Sequence, residues 1–488
     1  MWGYLAVLVV GLLIGAAGFG ALDDPFALAL AVLVCGAAAI LVKPILGVYL
    51  TVFFSVLGDT QTMLGYPFNS NFSSRESILY IHNSLTFSPV ELFLALTAVS
   101  WFAHTAGARN WRLRGRPLLL PVVGLGLMVG VGLVYGVGLR GGNLTVAIWE
   151  LRPLLYLVVM YVLASNLFTR VEHYVYVAWA VVLAIAVQNL FAIHYYFTLS
   201  RAERATLEAL TEHPSSLFYA WLFLLALAVC LLKSCSRVAR FLIVLTVLPT
   251  AYLFVLSERR AAAVALAVGF IVFAFILFFR RRKAFFVLVP VVLLLSVAYT
   301  AAFWNSSEGA GFGARAVKTV FAPKSVSERD ASSDVYRIIE NYDLVYTIRV
   351  APQTGVGFGR PFYQPAQLPN ISFFVFSQYI PHNSILWIWL KMGYVGFVAL
   401  LFLIAATLRA GTRASLALPS GDALAVTVGA LAFIVMFFVF AYVDIAWGPR
   451  TCLFLAICMA TCVNMPRLAG VGRRGSSEKG APSRVLQA

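Results

Sequence analysis

The sequence predicts an all-α, polytopic integral membrane protein of about 12–14 transmembrane helices, with one long loop outside the membrane that carries short amphipathic helices. Three features predict it. Hydrophobic residues fill 61% of the 488 positions and charged residues only 11%, too apolar a balance for a soluble globular chain. Apolar blocks of the roughly 20 residues needed to cross a ~30 Å hydrocarbon core recur along nearly the whole chain. The basic residues, finally, are gathered into a few short loops. A net charge of +16 would point to nucleic acid in a soluble protein, but here its placement marks topology, and no nucleic-acid partner is expected.

Met1 to Leu22 lacks the basic opening of a signal peptide and a second apolar block follows at once, so it reads as a retained span. Basic clusters follow at Arg109, Arg112, Arg114 and Arg116; at Lys233, Arg237 and Arg240; from Arg280 to Lys283; at Arg409 and Arg413; and at Arg467, Arg473 and Arg474. The positive-inside rule assigns these to the cytoplasm, and alternation then puts both termini there. Four polar segments are left outside: Asp59 to Ser88, Arg140 to Arg152, Ser200 to Ser216, and Trp304 to Pro381. An even number of spans satisfies all these assignments together. The cysteines avoid the outer segments and show neither a disulfide framework nor zinc-ligand spacing. Residues 1–466 therefore read as one transmembrane domain that includes the 304–381 loop, and residues 467–488, Gly/Ser-rich and basic, as a disordered cytoplasmic tail.

A loop of that length without function is unusual. Within it, "SSDVYRIIENYDLVYTIRVAP" carries apolar residues at helical spacing, with Ser333 as the expected N-cap and Pro352 as the stop. "TGVGFG" follows, where Gly355 and Gly357 permit tight turns and close approach of a ligand. "RAERATLEALTEHP" reads as a second, solvated surface helix.

Polar residues at the outer helix mouths are the candidates for chemistry. In "LSERRAAAVAL", Arg259 and Arg260 interrupt two apolar spans with almost no loop; they suit either a phosphate clamp or headgroup snorkelling. Arg337 is either a second anion contact or a partner for Glu340 or Glu328. Arg152 sits where an interfacial anchor would. His382 and Asn383 open the apolar stretch "PHNSILWIWLKMGYVGF", where Asn383 can cap the helix and His382 can titrate near neutral pH as a general base requires, although a lone histidine is more often structural. A second His-Asn-Ser, at His82, reads as loop. Trp387 and Trp389 could line a site, but interfacial tryptophan is common.

In order and spacing these signals resemble the O-antigen ligase and Wzy-type polymerase superfamily of bacterial polysaccharide glycosyltransferases. The resemblance rests on the "LSERRAAAVAL" corner, on Arg337 fifteen residues before "PQTGVGFG", and on His382-Asn383 followed by Gly393 and Gly396, over roughly residues 250 to 410. It implies that Arg260 and Arg337 bind phosphate, with Arg259 as an alternative to Arg260, and that His382 is catalytic. Asn383, Arg152, Gly355 and Gly357 would support the site. It also implies an undecaprenyl-diphosphate-linked glycan as donor, and a lipid A core, a protein or a lipid-linked repeat as acceptor, in the bacterial inner membrane with the site on its outer face. Lys391 departs from the glutamate that many members carry near this position.

The residues fit that chemistry. A leaving diphosphate needs either a metal or fixed cations. The outer segments show no Asp-x-Asp motif or carboxylate cluster but do hold arginines, so neither metal nor other cofactor is expected, and a single displacement with inversion is. A transporter or flippase would share the many spans; its best candidate residue, Lys391, has no evident partner in the sequence. Ligase and polymerase are not separated at this level.

Overall fold

The computed structural model describes residues 25–58, 80–82, 85–86, 88–107, 113–207, 210–232, 234, 236–306, 309–323, 327–369 and 375–471. The expected first span, Arg109, Arg112, Lys233, Cys235, Arg473, Arg474 and the tail beyond 471 lie outside the described residues, as do Asn83 and Ser84 of the first His-Asn-Ser. Apart from one short antiparallel pair, Tyr80–His82 with Leu85–Thr86, the regular structure is helical.

Among the described residues, eleven helices are long and apolar enough to cross a membrane. They follow two shorter pieces, α1 (Pro25–Val42) and α2 (Ile45–Leu57), that meet at Lys43 and Pro44. The eleven are α3 (Pro89–Gly107), α4 (Arg116–Leu133, extended by a π-helical turn over Val134–Leu139), α5 (Leu144–Leu167), α6 (Val171–Thr198) and, after the short α7 (Arg201–Thr206), α8 (His213–Leu231), α9 (Arg237–Leu256), α10 (Arg260–Arg280) and α11 (Arg282–Ala302). Two helices of the long loop intervene, α12 (Phe312–Phe321) and α13 (Glu328–Val350), before α14 (Ser384–Ala417), α15 (Asp422–Val443) and α16 (Pro449–Leu468). The chain is thus a multi-pass, all-α membrane protein.

Packing follows from apolarity. The central helices α8, α15 and α16 are largely buried, and Phe433 meets Phe218 and Phe454 with ring centroids 5.6 Å and 4.6 Å apart. No residue of α11 is buried, and Val287, Leu294 and Val297 stand well exposed, as a lipid-facing helix requires. Alternation of direction sorts the loops onto two ends. The basic end is tied by Arg280 donating to the Leu416 carbonyl at 3.0 Å and Tyr161 to the Gly115 carbonyl at 2.7 Å. The opposite end gathers α7, the 257–259 corner, the 303–383 loop and the 444–448 turn.

Two elements differ from expectation. α13 starts at Glu328, not after Ser333: Ser327 Oγ accepts the Asp330 N–H at 3.3 Å, and the first turns, "ERDASSD", are too polar to register as apolar periodicity. The second surface helix is confined to α7, capped by Ser200 with Glu203.

The glycine run packs against the protein's own backbone. Gly393 breaks α14 with φ 66° and ψ −169°, which leaves helical groups unpaired in the bundle. The run supplies their partners: Val356 N–H donates to the Leu390 carbonyl at 2.7 Å, and Tyr394 N–H to the Pro352 carbonyl at 3.0 Å. At α4, Phe358 N–H donates to the Gly132 carbonyl at 3.2 Å. A Cβ on Gly355 would lie 2.3 Å from the Leu390 carbonyl oxygen, and one on Gly357 2.3 Å from Gly136 Cα, so only glycine fits. Gly355 and Gly357 form a plug.

Candidate active site

The site is built from α10, α13, the residues that lead into α14, and the turn after α15. At the 257–260 corner Glu258 adopts φ 49°, the one positive value outside glycine among the described residues. That backbone costs on the order of 1–3 kcal/mol and persists where its surroundings hold it. Here the Glu258 carboxylate takes the Gly309 N–H at 2.7 Å and Arg315 at 2.8 Å.

Arg260 opens α10 and reaches α13. Its guanidinium meets both oxygens of Asp334, at 2.9 Å and 3.1 Å, and donates to Thr319 Oγ1 at 2.7 Å. Arg337, one turn along α13, approaches the same Asp334 at 3.7 Å; its partner is neither Glu340 nor Glu328. Two arginines therefore share one carboxylate. Arg259 is half-buried at the N-cap of α10.

Three residues beyond Arg337, on the same face of α13, Glu340 receives His382. The His382 backbone N–H donates to one carboxylate oxygen at 3.0 Å, and Nδ1 lies 3.2 Å from the other. A carboxylate only accepts, so Nδ1 carries the proton that faces Glu340, and Nε2 is the ring nitrogen left over. Among the described residues Nε2 has no hydrogen-bond partner. Tyr336 stacks edge-on against the ring at 5.5 Å, its hydroxyl pushed up to about 12 by burial and by Glu340 and Asp343. Asn383 caps α14 as expected, accepting the Leu386 N–H at 3.1 Å, and donates to Asn341 at 2.9 Å. Arg260, Arg337, His382 and Asn383 are all brought to α13.

The other expected residues go elsewhere. Arg152 is no interfacial anchor: it is buried within α5, beside Glu91 at 3.4 Å and over the Trp149 ring. Trp387 is buried and donates to the Tyr379 carbonyl, while Trp389 donates to Pro352, so both serve packing. Lys391 does have a partner. Its Nζ lies 2.7 Å from Glu150, and Glu150 also accepts the Gly359 N–H at 2.6 Å, so the pair bolts the glycine plug to α5 and α14.

Sequence reasoning named Glu340 only as a possible partner of Arg337, not of His382, and missed Asp334 and another histidine, His213, whose Nδ1 meets Asp444 at 2.8 Å. Nothing local marks the contacts of Arg260 with Asp334, His382 with Glu340 or His213 with Asp444, because each joins residues far apart in the chain. Burial would raise the Asp444 carboxyl, but His213, then His382 and Arg337, hold it well below the usual carboxylate range.

The fold and this polar end define a class: a multi-pass membrane protein whose arginines and histidines converge where apolar helices meet a polar loop. Residues 243–401 match the family model described as O-antigen ligase, so the site-bearing part of the chain is similar to the O-antigen ligase and Wzy-type superfamily. That span holds Arg259, Arg260, Arg337, the glycine plug and His382, and it supports a membrane enzyme that transfers glycans. No curated protein matches the chain.

Proposed function

We propose that the protein transfers a glycan from an undecaprenyl-diphosphate-linked donor to an acceptor sugar hydroxyl at the outer face of the bacterial cytoplasmic membrane, without a metal and with inversion. The observation that carries this reading is His382 fixed on Glu340 at 3.2 Å with Nε2 open, one helical turn from an arginine that shares a carboxylate with a second arginine. Asp334 and Glu340 are separated by ~9 Å along α13, at 1.5 Å rise per residue, a length that a diphosphate and its first sugar bridge.

In this scheme the polyprenyl tail stays in the bilayer while Arg260 and Arg337 hold the diphosphate. Nε2 of His382 takes the acceptor O–H proton as that oxygen attacks the anomeric carbon. The bond from that carbon to the phosphate oxygen breaks, and its electron pair leaves on undecaprenyl diphosphate, whose charge the arginines meet. Glu340 stabilises the imidazolium. The basic end of the bundle faces the cytoplasm, with both termini.

The test is turnover of a labelled undecaprenyl-diphosphate oligosaccharide by the purified protein, with and without chelator. Release of undecaprenyl diphosphate unchanged by chelator supports the scheme. Label on a lipid A core or a protein identifies a ligase, and label on a longer lipid-linked chain a polymerase. No release with any of these acceptors overturns the reading and favours transport.

A further inference from the structure

We propose that His213 is a third cationic contact for the donor's diphosphate, anchored by Asp444, an inference that rests on the glycan-transfer reading. The ring stands at the start of α8, with Nδ1 2.8 Å and 3.0 Å from the two oxygens of Asp444. The Asp444 side chain is 2% exposed and the His213 side chain 37%, so a sealed carboxylate lies under a ring whose far edge is open. Among the described residues its Nε2 has no hydrogen-bond partner. This repeats the arrangement of His382 on Glu340.

The two pairs share one centre. Ser384, two residues after His382, donates to the Asp444 carbonyl at 3.0 Å and accepts the Ala446 N–H at 3.0 Å. Its own carbonyl accepts from the Trp447 indole at 2.8 Å. The 444–447 turn is thereby stitched to the mouth of α14. The electrostatic pull of both His382 and Arg337 on Asp444 agrees with that placement.

Charge assigns the role. Arg260, Arg315, Arg329 and Arg337 already face Asp334, Asp330 and Glu258, so most of that cluster's positive charge is engaged before substrate arrives. Glu340 and Asp444 add two anions, and a diphosphate brings more. Gathering them in a partly desolvated site is unfavourable unless an imidazole carries a proton. His382 must keep Nε2 unprotonated to accept from the acceptor hydroxyl. His213 is the ring that remains: Nδ1–H donates to Asp444 and Nε2–H to a phosphate oxygen. The adjacent Glu212 is turned away, onto Arg450 at 2.8 Å.

The experiment measures binding of undecaprenyl diphosphate to the full chain in detergent for wild type, Arg337→Ala, His213→Asn and His213→Arg, with donor and acceptor KM in parallel. His213→Asn is expected to weaken binding and raise donor KM about tenfold or more, as loss of a hydrogen bond to a charged group does. Acceptor KM should not change, and His213→Arg should retain most of the binding. If His213→Asn melts early, Asp444→Asn reads the same contact by unanchoring the ring, and weaker binding is expected. Wild-type binding in the folded variant, with Arg337→Ala weakened, overturns this inference alone, as does a rise confined to acceptor KM. No binding by wild type overturns the glycan-transfer reading with it.

Discussion

Two carboxylate contacts, one from Lys391 and one from His382, lie nine residues apart at the head of α14, and they do opposite things. Lys391 and Glu150 are both wholly buried, and the pair is closed further by the protein around it: Lys391 Nζ donates to the Arg360 carbonyl at 2.5 Å and lies over the Tyr379 ring, and Glu150 accepts the Gly359 N–H at 2.6 Å and a hydrogen bond from Trp387. His382 and Glu340 also join distant segments, but the imidazole is 22% exposed and one ring nitrogen is left over. A pair that closes on itself holds structure together. A pair that leaves one atom open, in a partly wet site, can exchange a proton. Burial and leftover valence, not the presence of an ion pair, separate structural from chemical charge here.

The largest effect expected from this comparison is on stability. Lys391→Met leaves the buried Glu150 carboxylate without its cation and should destabilise the protein by about 3–5 kcal/mol, read as early melting in detergent; adding Glu150→Leu should recover most of it. Melting unchanged by Lys391→Met would break the contrast. Glu340→Gln keeps the shape but loses the charge that orients His382, so kcat should fall roughly tenfold to a hundredfold with melting nearly unchanged. An equal loss of stability would place Glu340 with the structural pair. Gly357→Ala should destabilise by about 1–3 kcal/mol, because φ is 84° and the new Cβ would meet Gly136, while the kcat of the folded fraction stays near wild type. The smallest effect is at Asp334, which sits on Arg260 as a phosphate would: Asp334→Asn should lower donor KM by up to about fivefold, the scale of a part-exposed ion pair. A raised donor KM would instead make Asp334 an orienter of the arginines.

How much of this was legible in the sequence depends on range. The many spans could be read because apolar length and loop charge are local signals, and His382 with Asn383 because a cap and a histidine precede an apolar run. Arg260 and Arg337 were legible as candidates, but Arg337's partner was not: Asp334 and Glu340 both stand one turn from it on the helix, and the reach of Arg260 from another helix settles which carboxylate the two arginines share. Lys391 looked unpaired because Glu150 lies 241 residues earlier in the chain. The glycine run looked like a ligand loop because φ preference is visible in sequence while the surface that the glycines face is not. His213 went unnoticed since its meaning comes from Asp444, on a turn with no motif of its own.

The most direct test of the central claim is single-turnover transfer by His382→Gln, prepared folded and loaded with labelled undecaprenyl-diphosphate oligosaccharide. The account predicts donor binding close to wild type with transfer slowed by at least about a hundredfold, the scale of a lost general base. Transfer at the wild-type rate would contradict it and remove His382 from the chemistry.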